Sequence, residues 1–241
     1  MAKLIWLYKG EVMRMRRYGI LLASLVVTII WIITLQFSGV EEGINFLFPL
    51  LIAADASLMS LLLTGVTMTF ESQESTLRSI QVTPVSSSEY LLAKTLGTVT
   101  SSLVTLVLLL IYGLLFKSLD INVLGISAAV VLVSFVFGQL GILMTYSAKD
   151  FTDLLMAMFK FMLVFIIPTV IELTGLLEAK WLTAWQYINP IQHTLVLLQA
   201  ASITVDRSKL WSAICYLVIL GGLLYAVIRK QFPVYAAKGG A

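Results

Sequence analysis

FESQESTLRSIQVTPVSSSEYLLAK, residues 70–94, is a polar, helix-prone island between two long apolar segments. It carries paired acids (Glu71, Glu74), an apolar stripe (Phe70, Leu77, Ile80) and a stop at Thr83-Pro84. Ser86-x-x-Glu89 then reads as a capping box that starts the next helix. The spacing predicts a short amphipathic helix held at a membrane surface between two spans. Such an element is suited to receive force from a soluble partner.

The rest of the chain supplies the membrane. It is 59% hydrophobic and 12% charged, where a soluble domain has about 25% charged residues. Mean hydropathy is +0.97. Six apolar runs reach the roughly 20 residues that a helical crossing needs: 18–38, 46–69, 95–116, 121–146, 155–177 and 209–228. The third and fourth are separated by a few residues around Lys117 and Asp120, which predicts an antiparallel hairpin. The first follows a basic amphipathic stretch, lacks a small-residue cleavage site and is too long for a signal-peptide core, so it reads as retained.

Even span number places both termini on one side. Lys3, Lys9, Arg14, Arg16, Arg17, Arg78, Lys94, Lys149, Lys160, Arg229, Lys230 and Lys238 then share a face. Only Lys117, Lys180, Arg207 and Lys209 lie opposite. By the positive-inside rule both termini and the 70–94 island are expected in the cytoplasm of a plasma (inner) membrane protein. Residues 1–17 read as an interfacial helix. At 100° per residue Leu4, Ile5, Tyr8, Val12 and Met15 share one face, and the basic residues fall mostly on the other with Trp6 and Met13. Residues 178–208, between spans five and six, are apolar and aromatic but broken at Asn189-Pro190. Two short helices dipping into the outer interface are expected there, with Asn189 capping the second. The piece after Pro190 is too short and polar-spotted (Gln192, His193, Gln199) for a seventh span.

The pattern Glu71-x-x-Glu74-Ser-Thr-Leu-Arg-x-Ile-x-Val-Thr-Pro-Val-Ser-x-x-Glu89-Tyr90-Leu-x-x-Lys94 resembles the cytoplasmic signature of type-2 ABC exporter permeases, six-span subunits that pair with a separate ATPase. Pro168 within span five, Thr174-Gly175, Trp181 and Tyr187-Ile188-Asn189-Pro190 resemble the same family's segment leading into outer re-entrant helices. The resemblance implies an all-α polytopic fold in one transmembrane domain over 1–241. It implies a coupling helix near 71–82 that docks on the nucleotide-binding subunit, through Glu71, Glu74, Leu77, Arg78, Ile80, Thr83 and Pro84. It implies a connecting helix at 1–17 and a second permease copy, identical or similar. It also implies ATP and magnesium held by the partner and moved cargo, by alternating access, out of the cytoplasm.

No Gly-x-x-x-x-Gly-Lys-[Ser/Thr] loop, His-Glu-x-x-His or Gly-x-Ser-x-Gly occurs, and His193 is the single histidine. These absences argue against ATP binding by a P-loop, a multi-histidine zinc site and a serine hydrolase elbow. Nothing in the pattern points to nucleic acid. Asp55 sits about ten residues into span two, roughly 15 Å along its axis and near the midplane. There it must face a bundle or a wet cavity. With Gln139, Glu172, Asn189 and Pro190 it is a candidate for the transport path or gate. For Asp55 structural pairing is equally open, and Gln139 and the threonines of span two also suit interhelical hydrogen bonding. A membrane enzyme built on Asp55, Glu172 and His193, or a sensor or immunity subunit of the same fold, stands as the alternative.

Overall fold

The computed structural model describes residues 2–38, 43–74, 76–176 and 179–238, with the backbone alone at Ala2, Arg78, Gln81 and Lys238. Eleven α-helices follow in order among these residues: α1 Ala2–Arg17, α2 Ile20–Phe37, α3 Ile44–Ala54, α4 Ser60–Gln73, α5 Thr76–Gln81, α6 Ser87–Phe116, α7 Val123–Ser147, α8 Phe151–Thr174, α9 Lys180–Gln186, α10 Pro190–Gln199 and α11 Arg207–Lys238. A π-helical turn, Asp55–Met59, joins α3 to α4, so the two run as one span. Six helical spans in the described residues are long and apolar enough to cross a membrane: α2, α3–α4, α6, α7, α8 and α11.

The six expected spans are all present, but three extend well past the apolar runs. The second continues to Gln73, the third begins at Ser87 and the sixth continues to Lys238. Helical hydrogen bonding does not end where hydropathy falls. It ends at a cap, and at α6 that cap is the Ser86–Glu89 box: the Ser86 hydroxyl accepts the Glu89 amide, and the Glu89 carboxylate accepts the Ser86 amide.

α4 and α7 form the most closely packed pair. A Cβ on Gly141 would collide with the Leu61 carbonyl of α4, so only glycine admits this approach. α6 lies beside them along a seam of hydroxyls: Thr64 to Thr98 at 2.6 Å and Ser60 to Ser102 at 3.0 Å. α2 joins the same seam through Thr28 to Thr105 at 3.2 Å and Ser101 to Ser24 at 3.3 Å. These side chains are buried, and each pairing satisfies polar groups in a low-dielectric setting. At Pro49 of α3 the hydrogen bond that proline removes is replaced from another part of the chain. Pro49 cannot donate to the Asn45 carbonyl one turn back, and the Ser202 hydroxyl donates to it at 2.6 Å. Around Pro168 of α8, Gln186 donates to the Pro168 carbonyl at 3.3 Å and Asn189 to the Phe165 carbonyl at 2.9 Å.

Candidate functional site: the junction of α1, α4, α5 and α6

At the end of the bundle that carries α5, four charged side chains from three helices meet. Lys94 Nζ of α6 lies 2.8 Å from Glu11 Oε1 of α1 and 2.9 Å from Glu71 Oε1 of α4. Arg14 of α1 reaches Glu11 at 2.7 Å and Glu71 at 3.2 Å. The Tyr90 hydroxyl donates to the second Glu71 oxygen. Glu11, Glu71 and Lys94 are buried, each at 1% exposure or less. Two acids and two bases give a neutral set, the condition under which such burial is tolerable. Burial pushes the Glu11 carboxyl up, but Lys94 and Arg14 outweigh it and hold the group below its ordinary range. Gly97 makes room for this arrangement, since a Cβ there would sit 2.9 Å from the Glu11 side chain.

Two of the residues expected to dock, Glu71 and Leu77, lie inward. Glu71 is turned inward onto Lys94 and Arg14, so its charge is already answered within the chain and does not face a partner. Leu77, fully buried, packs in a cluster with Met68, Tyr90, Leu91, Ile142, Ile228 and Phe232, and Ile80 is half-buried against it. What α5 presents outward is different: Glu74, Ser79, Val82 (87% exposed), Thr83 and Pro84. The Arg78 side chain lies outside the described residues. Glu74 accepts a hydrogen bond from the Tyr18 hydroxyl at 2.6 Å. Burial, then the Glu74 carboxylate, hold that phenol well above the ordinary tyrosine range, so it remains a donor. Thr83 closes α5 by donating to the Ile80 carbonyl at 2.7 Å. Lys3 donates to the Pro84 carbonyl at 3.1 Å, tying α1 to the turn.

α1 itself packs on α6 rather than standing free. Tyr8 and Met15 turn inward, the former pairing with the Thr100 hydroxyl at 2.8 Å. Lys3, Trp6, Lys9, Met13, Arg16 and Arg17 form the outward face, and Ile5, expected on the apolar side, is 55% exposed.

The remaining candidates occupy separate environments. Asp55 opens the π-helical turn and lies beside Trp31 of α2 and Thr105 of α6. Ala53, Ala54, Ser57 and Leu58 instead line an apolar cavity of about 230 Å³ against α8 and α10, with Thr169, Ile191 and Thr194. Gln139 is fully buried in α7, its amide without a hydrogen-bond partner among the described residues. Glu172 lies in the last turn of α8, half-buried, with Lys209 as its charged neighbour. Asn189 caps α10 by accepting the Ile191 amide at 2.9 Å and donates to Thr169 at 2.8 Å; Pro190 follows as the first residue of α10. His193 stacks on Tyr216 with ring centres 4.1 Å apart. Asp55, Glu172 and His193 are thus not assembled into one reactive constellation.

Helix order, the short helix α5 at one end and the broken helix pair at the other agree with one family. The family model of the ABC-2 type transporter matches residues 2–202, most of the chain. The protein belongs to that family and is the permease, the membrane domain, of an ABC-2 type transporter. No curated protein sequence matches the chain.

Proposed function

We propose that this permease works as an exporter, with α5 and residues 82–84 as the docking element for a separate nucleotide-binding subunit. That partner would bind ATP and magnesium. The observation that carries the reading is the contrast at the junction: α5 is anchored from within by Leu77 and the adjoining ion network, while Glu74, Val82, Thr83 and Pro84 are exposed. A helix so held transmits a push to α1, α4 and α6 together instead of bending aside. Movement of these elements in two copies of the permease, identical or similar, would alternate access to a path between them.

The charge distribution supports a cytoplasmic site for this end and for both termini, in the plasma membrane of the cell. The outward Lys3, Lys9, Arg16 and Arg17 of α1, interleaved with Trp6 and Met13, suit the headgroup layer of that leaflet. α9 and α10 would then dip into the opposite interface as a re-entrant pair, with the cavity between α3, α8 and α10 near the path.

The test is co-isolation with a P-loop ATPase and measurement of its hydrolysis rate. Glu74→Lys with Val82→Asp, both at exposed positions, is expected to leave membrane insertion intact and to abolish co-isolation. Retention of a fully active complex by that double variant would refute docking through α5.

A further inference from the structure

α11 is longer than its membrane crossing needs, and both of its ends are engaged. Its 32 residues extend ~48 Å at the helical rise. One continuous buried stripe, Ala213, Leu217, Leu224, Ile228, Phe232 and Ala236, holds it to the bundle. Near its beginning Tyr216 stacks on His193 of α10 and donates to the Ile188 carbonyl at 2.6 Å, within the turn between α9 and α10. Near its far end Phe232 lies 5.1 Å from the Tyr90 ring and shares a cluster with Leu77 of α5. Tyr235 lies tilted against Tyr146 with ring centres 4.6 Å apart, and the Tyr146 hydroxyl donates to the Ile228 carbonyl. The apolar run that reads as span six ends at 228, so the tail beneath α5 is an addition to the crossing helix.

We propose that α11 is a strut connecting the α9–α10 pair to the docking helix α5, with Tyr216 and Phe232 as its positioning residues. The functional value of the strut rests on the docking role of α5 proposed above, but its mechanical action does not. A helix resists axial displacement, so a shift of α5 against Phe232 would be delivered at Tyr216, about 24 Å along the axis. Every intermediate contact on the buried stripe keeps the rod from bowing. The strut thus gives the closure of a partner at one end a direct mechanical route to the helix pair at the other.

Amide hydrogen exchange on the purified full-length permease, with no partner added, tests this. Tyr216→Phe removes one hydrogen bond at one end, and Phe232→Leu removes one ring–ring contact at the other while keeping an apolar side chain. Each is expected to speed exchange about fivefold or more in both 76–84 and 187–199. Residues 95–110 of α6 should stay protected. Effects confined to the mutated end would overturn the proposal, and so would a uniform rise that includes α6, since that would make these residues ordinary core. Failure of the wild-type chain to hold an ATPase would count against docking through α5 and leave this result standing. A local bond acting as a wire between distant sites needs this direct coupling evidence.

Discussion

Lys94→Met should be among the most damaging single substitutions in the chain. Lys94 Nζ answers two buried carboxylates at 2.8 and 2.9 Å. At an effective dielectric of about 20, an ion pair near 4 Å is worth roughly 4 kcal/mol, and these are closer. Removing the lysine also relieves its own desolvation, which is several kcal/mol. The remainder is the cost of leaving two buried acids facing Arg14 alone, about 3–5 kcal/mol as for other broken buried pairs. At roughly 2–4 °C per kcal/mol for a domain of this size, the melting temperature should fall by about 6–20 °C. Thermal unfolding of the purified protein in detergent reads this directly. The decisive comparison is the triple variant Lys94→Met, Glu11→Gln, Glu71→Gln, which removes the uncompensated charges and leaves Arg14, whose side chain is 26% exposed and can reach water. It should recover most of the loss. A fall of less than about 2 °C in the single variant, or a triple variant no better than the single, would refute the account of the junction as a charge-balanced lock.

Three further outcomes follow from the same contacts. Glu11 is held below its ordinary range in the folded chain, so it adds stability that is present above the unfolded value near 4.5 and lost as pH falls through the folded value. Glu11→Gln should therefore flatten the acid limb of the stability profile, measured as melting temperature between pH 7 and about 4. Single cysteines at Ser79 and Lys180, both exposed, in a Cys215→Ala background should react with a membrane-impermeant reagent from opposite sides; labelling of both from outside intact cells would overturn the assigned orientation. Asn189→Ala removes the α10 cap and the bonds to Phe165 and Thr169, a loss of about 1–2 kcal/mol for the cap alone, and should raise protease sensitivity between α9 and α10 before it affects the α5 end.

The spans were legible because a helix that faces lipid must be apolar on most of its circumference for about 20 residues. The capping box at Ser86, the stop at Thr83-Pro84 and the Asn189 cap were legible for a related reason: each is a local signal whose partner lies within three residues. The π-helical turn at Asp55 was not. Nothing in Asp55–Met59 requires one extra residue in that turn; the packing of α3 and α4 against their neighbours selects it, and that is tertiary information. The true length of α11 was hidden by hydropathy, which drops at Arg229-Lys230 while the buried stripe continues through Phe232 and Ala236. Periodicity alone would have carried the helix further.

The junction shows the harder limit. Glu71 and Glu74 are equivalent in the sequence, two acids three apart on one turn, and they were given the same role. Three residues along a helix leave only about 60° between side chains, so rotation does not separate them; Glu71 lies in the last turn of α4, buried against α1 and α6, while Glu74 follows the last residue of that helix, Gln73, at the exposed rim. Glu11 carried the better clue. It falls with Leu4, Tyr8 and Met15 at the spacing 4, 8, 11, 15, the only acid on the inward stripe of a basic helix. An acid on an apolar stripe implies a buried base elsewhere, and Lys94, about two turns past the α6 cap and preceded by Leu91, Leu92 and Ala93, is the base it implies. A charge pattern read as surface topology was therefore in part interior structure: two of the twelve basic residues that set the orientation, Arg14 and Lys94, are committed to buried carboxylates. Removing them leaves ten against four, an asymmetry of the same sign.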